Sequence, residues 1–87
     1  MNLNEYSKKI CDLLIRSGYQ DEANEIEFFV KIILTKDKGD EERIIAKNKL
    51  IPRCHPKWLG DYYINDVSYK EWTDLISKFK IKLQKME

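Results

Sequence analysis

The residues best suited to chemistry lie in the segment Pro52–Asp66, whose sequence is PRCHPKWLGDYYIND. This segment contains both prolines, the only histidine, His55, and one of the two cysteines, Cys54. Together with the distant Cys11, these side chains could offer soft ligands to a transition metal. A structural zinc site needs a complete tetrahedral set, and the chain has neither a C-x-x-C nor an H-x-x-x-H pattern. We therefore predict no metal and no cofactor.

A thiol nucleophile is the second chemistry that the segment suggests. It needs an imidazole within reach of the sulfur and a third group that orients the imidazole. Cys54 and His55 are adjacent in sequence, an arrangement that rarely directs both side chains at one substrate, and no third member is identifiable. The glycines are isolated, so there is no glycine-rich phosphate loop. A helical chain of 87 residues also has little room for a deep pocket, and we predict no enzyme and no catalytic residue.

Charge is nearly balanced overall but segregated along the chain. The formal net charge is +1, from 16 Lys and Arg residues against 15 Asp and Glu residues. Gln20–Glu42 carries eight acids against three lysines, whereas Arg43–Gly60 carries five basic residues and no acid. The near-neutral total argues against nucleic acid as the default partner. The basic stretch 43–57, with aromatic rings beside it for base stacking, keeps a small regulatory nucleic-acid-binding protein as the alternative.

Protein binding fits the residue types best. Trp, Tyr and Arg are enriched at binding hot spots, and the Pro52–Asp66 segment concentrates them. An acidic cluster at the start of the second helix can attract a basic partner and speed its capture. The predicted partner-binding residues are Asp21, Glu22, Glu25, Arg53, Trp58, Tyr62 and Tyr63. The same rings are equally suited to closing the end of a helical bundle, so core and interface both remain open for them.

Helices must position these residues, because apolar side chains recur at the three-to-four-residue spacing of a helical face. The spacing predicts helices over residues 3–17, 20–35, 40–50 and 68–86. Asn2 or Asn4 can cap the first helix, Gly18 can end it, and Asp40 can cap the third. We expect Pro52 to end the third helix, since the residue before a proline is pushed out of the helical region.

The fourth helix has the most complete local signal. Ser68 and Glu71 have the spacing of a capping box, and Val67 and Trp72 occupy the positions of a hydrophobic staple. The predicted fold is a single all-α domain over residues 1–87, a small four-helix bundle with a structured, aromatic-rich connection before the last helix. No stretch is long and apolar enough to span a bilayer, and no secretory signal opens the chain, so we expect a cytoplasmic monomer.

One part of the chain resembles a known class. The run CHPKWLGDYYI at Cys54–Ile64, followed by YKEW at Tyr69–Trp72, resembles small bacterial proteins found beside polymorphic toxins, namely contact-dependent growth inhibition immunity proteins. The resemblance implies a helical protein that binds one cognate toxin domain and blocks its active site or substrate path. Many such toxins are nucleases with basic clefts, and their inhibitors are often strongly acidic. Because this chain has a net charge of +1, we expect either that the acidic face of the second helix acts alone or that capture is not mainly electrostatic.

Overall fold

The computed structural model describes residues 1–85 and contains four α-helices and no strand within that range. The helices are α1 (Leu3–Arg16), α2 (Gln20–Thr35), α3 (Glu41–Arg53) and α4 (Tyr69–Lys85), and a short 3-10 turn, Leu59–Asp61, lies before α4. This confirms the predicted small all-α bundle. The predicted fourth helix ran to Met86, which lies outside the described residues. No helix among residues 1–85 combines the length and the apolar character needed to cross a bilayer.

Side-chain caps explain where three of the helices begin. The Asn2 side chain accepts a hydrogen bond from the Glu5 amide at 2.9 Å, and the Glu5 carboxylate accepts one from the Asn2 amide at 3.0 Å. The Asp40 carboxylate accepts a hydrogen bond from the Glu42 amide at 2.8 Å. Before α4, the predicted capping box is present, because the Glu71 amide donates to Ser68 Oγ at 3.1 Å and the Ser68 amide donates to Glu71 Oε1 at 3.3 Å. Each cap satisfies amides that have no partner within the helix.

The turn between α1 and α2 depends on Gly18, which has φ +92°. The Gly18 amide donates to the Ile15 carbonyl at 3.1 Å, and the Tyr19 amide donates to the Leu14 carbonyl at 2.8 Å. These two bonds form the Schellman motif that often follows a helix, and its left-handed position favours glycine. The tight turn brings Tyr19 to the start of α2.

The prediction that the third helix ends before Pro52 is wrong, since α3 continues to Arg53 with Pro52 inside its last turn. Proline removes one amide donor, but Pro52 is exposed and only one helical residue follows it. The Cys54 and His55 amides then close the turn by donating to the carbonyls of Ile51 and Pro52, both at 3.1 Å. As a consequence, Arg53 belongs to a helix rather than to a loop.

The helices pack as a ring of neighbours in the order α1, α2, α3, α4 and back to α1. The largest fully buried side chains are Trp72, Phe79, Ile10, Leu14, Ile26, Ile33, Leu50, Leu59 and Leu83. Trp72 is 1% exposed, and its indole Nε1 donates to the Leu59 carbonyl at 2.7 Å. The Asn65 amide donates to Ser17 Oγ at 2.9 Å. The segment between α3 and α4 is therefore fastened to both α1 and α4, as a structured connection requires.

Candidate protein-binding face

Arg53 lies at the end of α3, and its side chain crosses to α2. Its guanidinium donates to the Glu22 carboxylate, and Nη1 lies 2.7 Å from Glu25 Oε2. The side chains of Arg53 and Glu22 are only 11% and 10% exposed, whereas that of Glu25 is 57% exposed. Glu22 and Glu25 stand three residues apart, which places both carboxylates on the same side of α2. The predicted acidic cluster and the predicted arginine thus bind each other.

Arg53 keeps its positive charge in the folded protein. Burial lowers the pKa of this side chain, but the hydrogen bonds and the charges of Glu22 and Glu25 outweigh burial, and the pKa lies above its ordinary value. Hydrogen bonds between two ionised groups are shorter and stronger than neutral ones. The guanidinium therefore has a fixed position before any partner arrives.

Aromatic rings surround the guanidinium. The Arg53 Cζ atom lies 5.0 Å from the centroid of the Trp58 ring and 5.6 Å from that of Phe29, which is cation–π geometry. Phe28 meets Phe29 edge to face, with ring centroids 5.5 Å apart. Trp58 is 42% exposed and Phe28 is 60% exposed. The rings and the guanidinium form a continuous series that reaches the surface at both ends.

Tyr62 completes the arrangement from the connection. Its hydroxyl donates to Glu22 Oε1 at 2.9 Å, and its ring stacks on Tyr19 with centroids 4.6 Å apart. Burial raises the pKa of Tyr62 to about 12, and the hydrogen bond and charge of Glu22 act in the same direction. A groove of about 360 Å³ runs beside these residues, with Asp21 and Glu25 in its lining. Both carboxylate oxygens of Glu22 are therefore occupied from within the chain.

Six of the seven predicted partner-binding residues come together in this region. We call the region the Arg53 face and define it by Asp21, Glu22, Glu25, Phe28, Phe29, Arg53, Trp58 and Tyr62. The seventh predicted residue, Tyr63, is 77% exposed and lines a different depression with Val67 and Tyr69. Tyr63 remains a prediction that the geometry does not connect to the other six.

Phe28 belongs to the Arg53 face, but it is not among the predicted partner-binding residues. The signal that could have found it is its spacing. Phe28 follows Glu25 by three residues and Asp21 by seven, so the three side chains share one helical face. A large aromatic residue in register with exposed acids indicates an outward position.

Both cysteine side chains are buried and make hydrogen bonds within the fold. Cys54 is 5% exposed with its Sγ donating to the Leu50 carbonyl at 3.6 Å, and the Cys11 Sγ donates to the Ala23 carbonyl at 3.4 Å. Burial raises the pKa of Cys54 to about 12 and that of Cys11 to about 11. Both thiols are therefore protonated at neutral pH.

His55 is exposed, and its Nδ1 accepts a hydrogen bond from the Lys57 amide at 3.0 Å.

Within residues 1–85, the structure brings together no group of three His, Cys, Asp or Glu side chains that could hold a metal ion.

The basic stretch 43–57 is partly engaged in contacts within the chain. Arg53 is held by carboxylates of α2, and Arg43 donates to the Lys36 carbonyl at 3.2 Å. Arg43 and Arg53 thus have partners inside the chain.

Comparison of the chain with protein-family models, with curated proteins and with solved structures finds no match in any of the three.

Proposed function

We propose that this protein neutralises a cognate toxin domain, of nuclease type, by docking the Arg53 face over the active site or substrate path of that domain. In this proposal it acts in the cytoplasm as a monomer. The observation that carries the proposal is the exposed Trp58 ring held 5.0 Å from the immobilised guanidinium of Arg53. Trp and Arg are the residue types that most often dominate binding energy at protein interfaces.

Preorganisation supports tight binding by this surface. An interface loses affinity when flexible side chains must be ordered on association. Arg53 is already fixed by Glu22 and Glu25, and Tyr62 is fixed by its hydrogen bond to Glu22 and its stacking on Tyr19. These side chains lose their conformational freedom during folding and not on binding, so contacts with a partner add directly to affinity.

The local charge supports a basic partner even though the whole chain is near neutral. On the Arg53 face, three carboxylates (Asp21, Glu22 and Glu25) stand against one guanidinium (Arg53), which leaves two net negative charges. Electrostatic attraction of this kind raises the association rate with an oppositely charged cleft. A nuclease cleft is basic because it binds a polyanion. The local field thus removes the difficulty that the net charge of +1 presented for the acidic-inhibitor interpretation.

The experiment begins with the gene immediately upstream. The proposal predicts that this gene encodes a large secreted protein ending in a toxin domain, and that domain is the partner to be purified. We expect the two purified proteins to form a complex that persists as salt rises, because its aromatic contacts are not screened. Co-expression should also restore growth to cells that make the toxin domain. Nucleic-acid binding would behave differently, since counterion release weakens such complexes steeply with salt. A protein that binds RNA or DNA but not the toxin domain would contradict the proposal.

A further inference from the structure

We infer, on the basis of the proposed function, that Phe28 and Trp58 are paired anchors on either side of Arg53, and that they fit a partner surface in which apolar recesses are bordered by basic side chains. This assignment adds a contact residue to the proposed interface and specifies the chemistry of the surface opposite.

Phe28 has little role in the fold. Its side chain is 60% exposed, while the α2 residues that build the core, Ile26 and Val30, are 0% and 3% exposed. Its aromatic contact is with Phe29, which is itself partly buried against the core. Single exposed apolar residues are ordinary, but a contiguous exposed patch marks an interaction site in a folded protein. Phe28 is connected to the second exposed ring, Trp58, through the partly buried side chains of Phe29 and Arg53.

The two anchors have a fixed relation to each other. The ring centroids of Phe28 and Phe29 are 5.5 Å apart. The Arg53 Cζ atom lies 5.6 Å from the Phe29 centroid and 5.0 Å from the Trp58 centroid, which completes the series. The middle of the series is the most rigid part, because Arg53 is bound by two carboxylates. The two exposed rings at the ends can therefore enter recesses on a partner while the floor between them stays in place.

Charge complementarity identifies what borders those recesses. The positive charge of Arg53 is already neutralised within the chain, so a partner carboxylate gains little by approaching it. Two carboxylates share this one guanidinium, so negative charge remains in excess, and the exposed side chains of Asp21 and Glu25 present it to solvent. Lysine or arginine side chains around the apolar recesses would meet these carboxylates. A phosphate backbone would be repelled by them, and this separates a basic protein surface from a nucleic acid as the occupant.

The aromatic half of the inference is tested with Phe28→Ala against the upstream toxin domain. Tyr69→Ala is the matched control, because Tyr69 is an aromatic residue that is 65% exposed and lies on α4. We expect Phe28→Ala to weaken the complex by about thirtyfold or more, the change expected of a hot-spot residue, and Tyr69→Ala to leave it unchanged. Unchanged urea midpoints for both variants would show that the fold is intact.

The electrostatic half is tested with Glu25→Gln, and Asp74→Asn on α4 serves as its exposed control. We expect Glu25→Gln to slow association several-fold at low salt, with the difference from wild type shrinking as salt is raised. Asp74→Asn should show neither effect. Equal slowing by the two variants would overturn the inference, because the effect would then reflect overall charge.

The outcomes separate the inference from the proposed function. If the wild-type protein binds the toxin domain and Phe28→Ala binds equally well, the anchors are wrong while the function stands. If the wild-type protein does not bind the toxin domain at all, the function is overturned and the inference falls with it. If Phe28→Ala and Glu25→Gln both act as expected and the controls do not, both are supported.

Discussion

Glu22 and Arg53 are separated by 31 residues in the chain, and their ion pair joins the first turns of α2 to the end of α3. The other oxygen of Glu22 accepts the hydroxyl of Tyr62, which lies 40 residues away in the connection before α4. One buried carboxylate therefore holds together a helix start, a helix end and an irregular segment. This arrangement makes Glu22 a structural residue as well as a member of the Arg53 face.

Removal of one partner should be costly. We expect Arg53→Met to lower the free energy of unfolding by about 3–5 kcal/mol, because it leaves the carboxylate of Glu22 buried without its cation. The double variant Glu22→Gln with Arg53→Met should be more stable than Arg53→Met alone, since the carboxylate that remains unpaired, that of Glu25, is exposed to solvent. Urea unfolding followed by circular dichroism measures all of these values.

Glu25 supplies the control for the ion pair. Its side chain is 57% exposed, so Glu25→Gln should change the unfolding free energy by no more than about 1 kcal/mol. A loss from Arg53→Met as small as that from Glu25→Gln would mean that the Glu22 pair contributes little. Glu22→Lys would place a second cation against Arg53, so it would disturb the fold as well as the charge of the Arg53 face.

Trp72 should be among the most sensitive positions of the core. It is 1% exposed, and we expect Trp72→Ala to cost about 3–5 kcal/mol of unfolding free energy. Trp72→Phe keeps much of the volume but leaves the Leu59 carbonyl without its donor, which should cost about 1–3 kcal/mol. Denaturant titrations give both numbers, and Tyr69→Ala, at an exposed position of the same helix, should stay within about 0.5 kcal/mol of wild type. Equal losses in the three variants would contradict this account.

The parts of the fold that were predictable from the sequence are those with local causes. The Ser68–Glu71 capping box and the Gly18 turn depend on residues a few positions apart, and both are found as the spacing indicates. The end of α3 was not predictable in this way. The local preference against a helical residue before Pro52 is real, but burial of Leu50 and Cys54 on either side keeps the chain helical.

The same distinction between local and long-range causes applies to the candidate site. Residue types alone led to the prediction that Glu22, Arg53 and Tyr62 bind a partner, yet nothing local indicates that these three bind one another. Their contacts span 31 and 40 residues and exist only because α2, α3 and the connection pack together. Phe28 was not among the predicted residues, because helical periodicity identifies only a broad apolar face, and tertiary packing decides which flank of that face is covered.

The thiols should be unreactive while the protein is folded. The pKa values of about 12 for Cys54 and about 11 for Cys11 leave very little thiolate at neutral pH, and both side chains are buried. We expect alkylation by iodoacetamide to be slower by about a hundredfold or more in the native protein than in the protein unfolded in urea. Mass spectrometry of timed samples measures the rate at each site. Fast modification of Cys54 in the native state would reopen the thiol-enzyme interpretation, and so would loss of function in Cys54→Ala.

The stability of the folded protein should fall in alkali, and the raised pKa of Tyr62 is one cause of this fall. Burial raises the pKa of Tyr62 from an ordinary 10.0 to about 12, so the folded state favours the protonated phenol that donates to Glu22. The unfolded chain releases this proton at lower pH than the folded chain does. The stabilisation is therefore complete below about pH 10 and is lost as the pH rises from there toward 12. The cysteine thiols, whose pKa values are also raised by burial, add a loss with the same sign that begins near pH 9.

Tyr62→Phe isolates the tyrosine contribution. The variant keeps a ring that can stack on Tyr19 but has no proton to release, so its unfolding free energy should decline less between pH 10 and 12 than that of wild type. At neutral pH it should be less stable than wild type by about 1 kcal/mol, because Glu22 loses a hydrogen-bond donor. Urea titrations at a series of pH values give both quantities, with Tyr63→Phe as the exposed control. Parallel alkaline profiles for wild type and Tyr62→Phe would show that the phenol of Tyr62 is not held by Glu22 in solution.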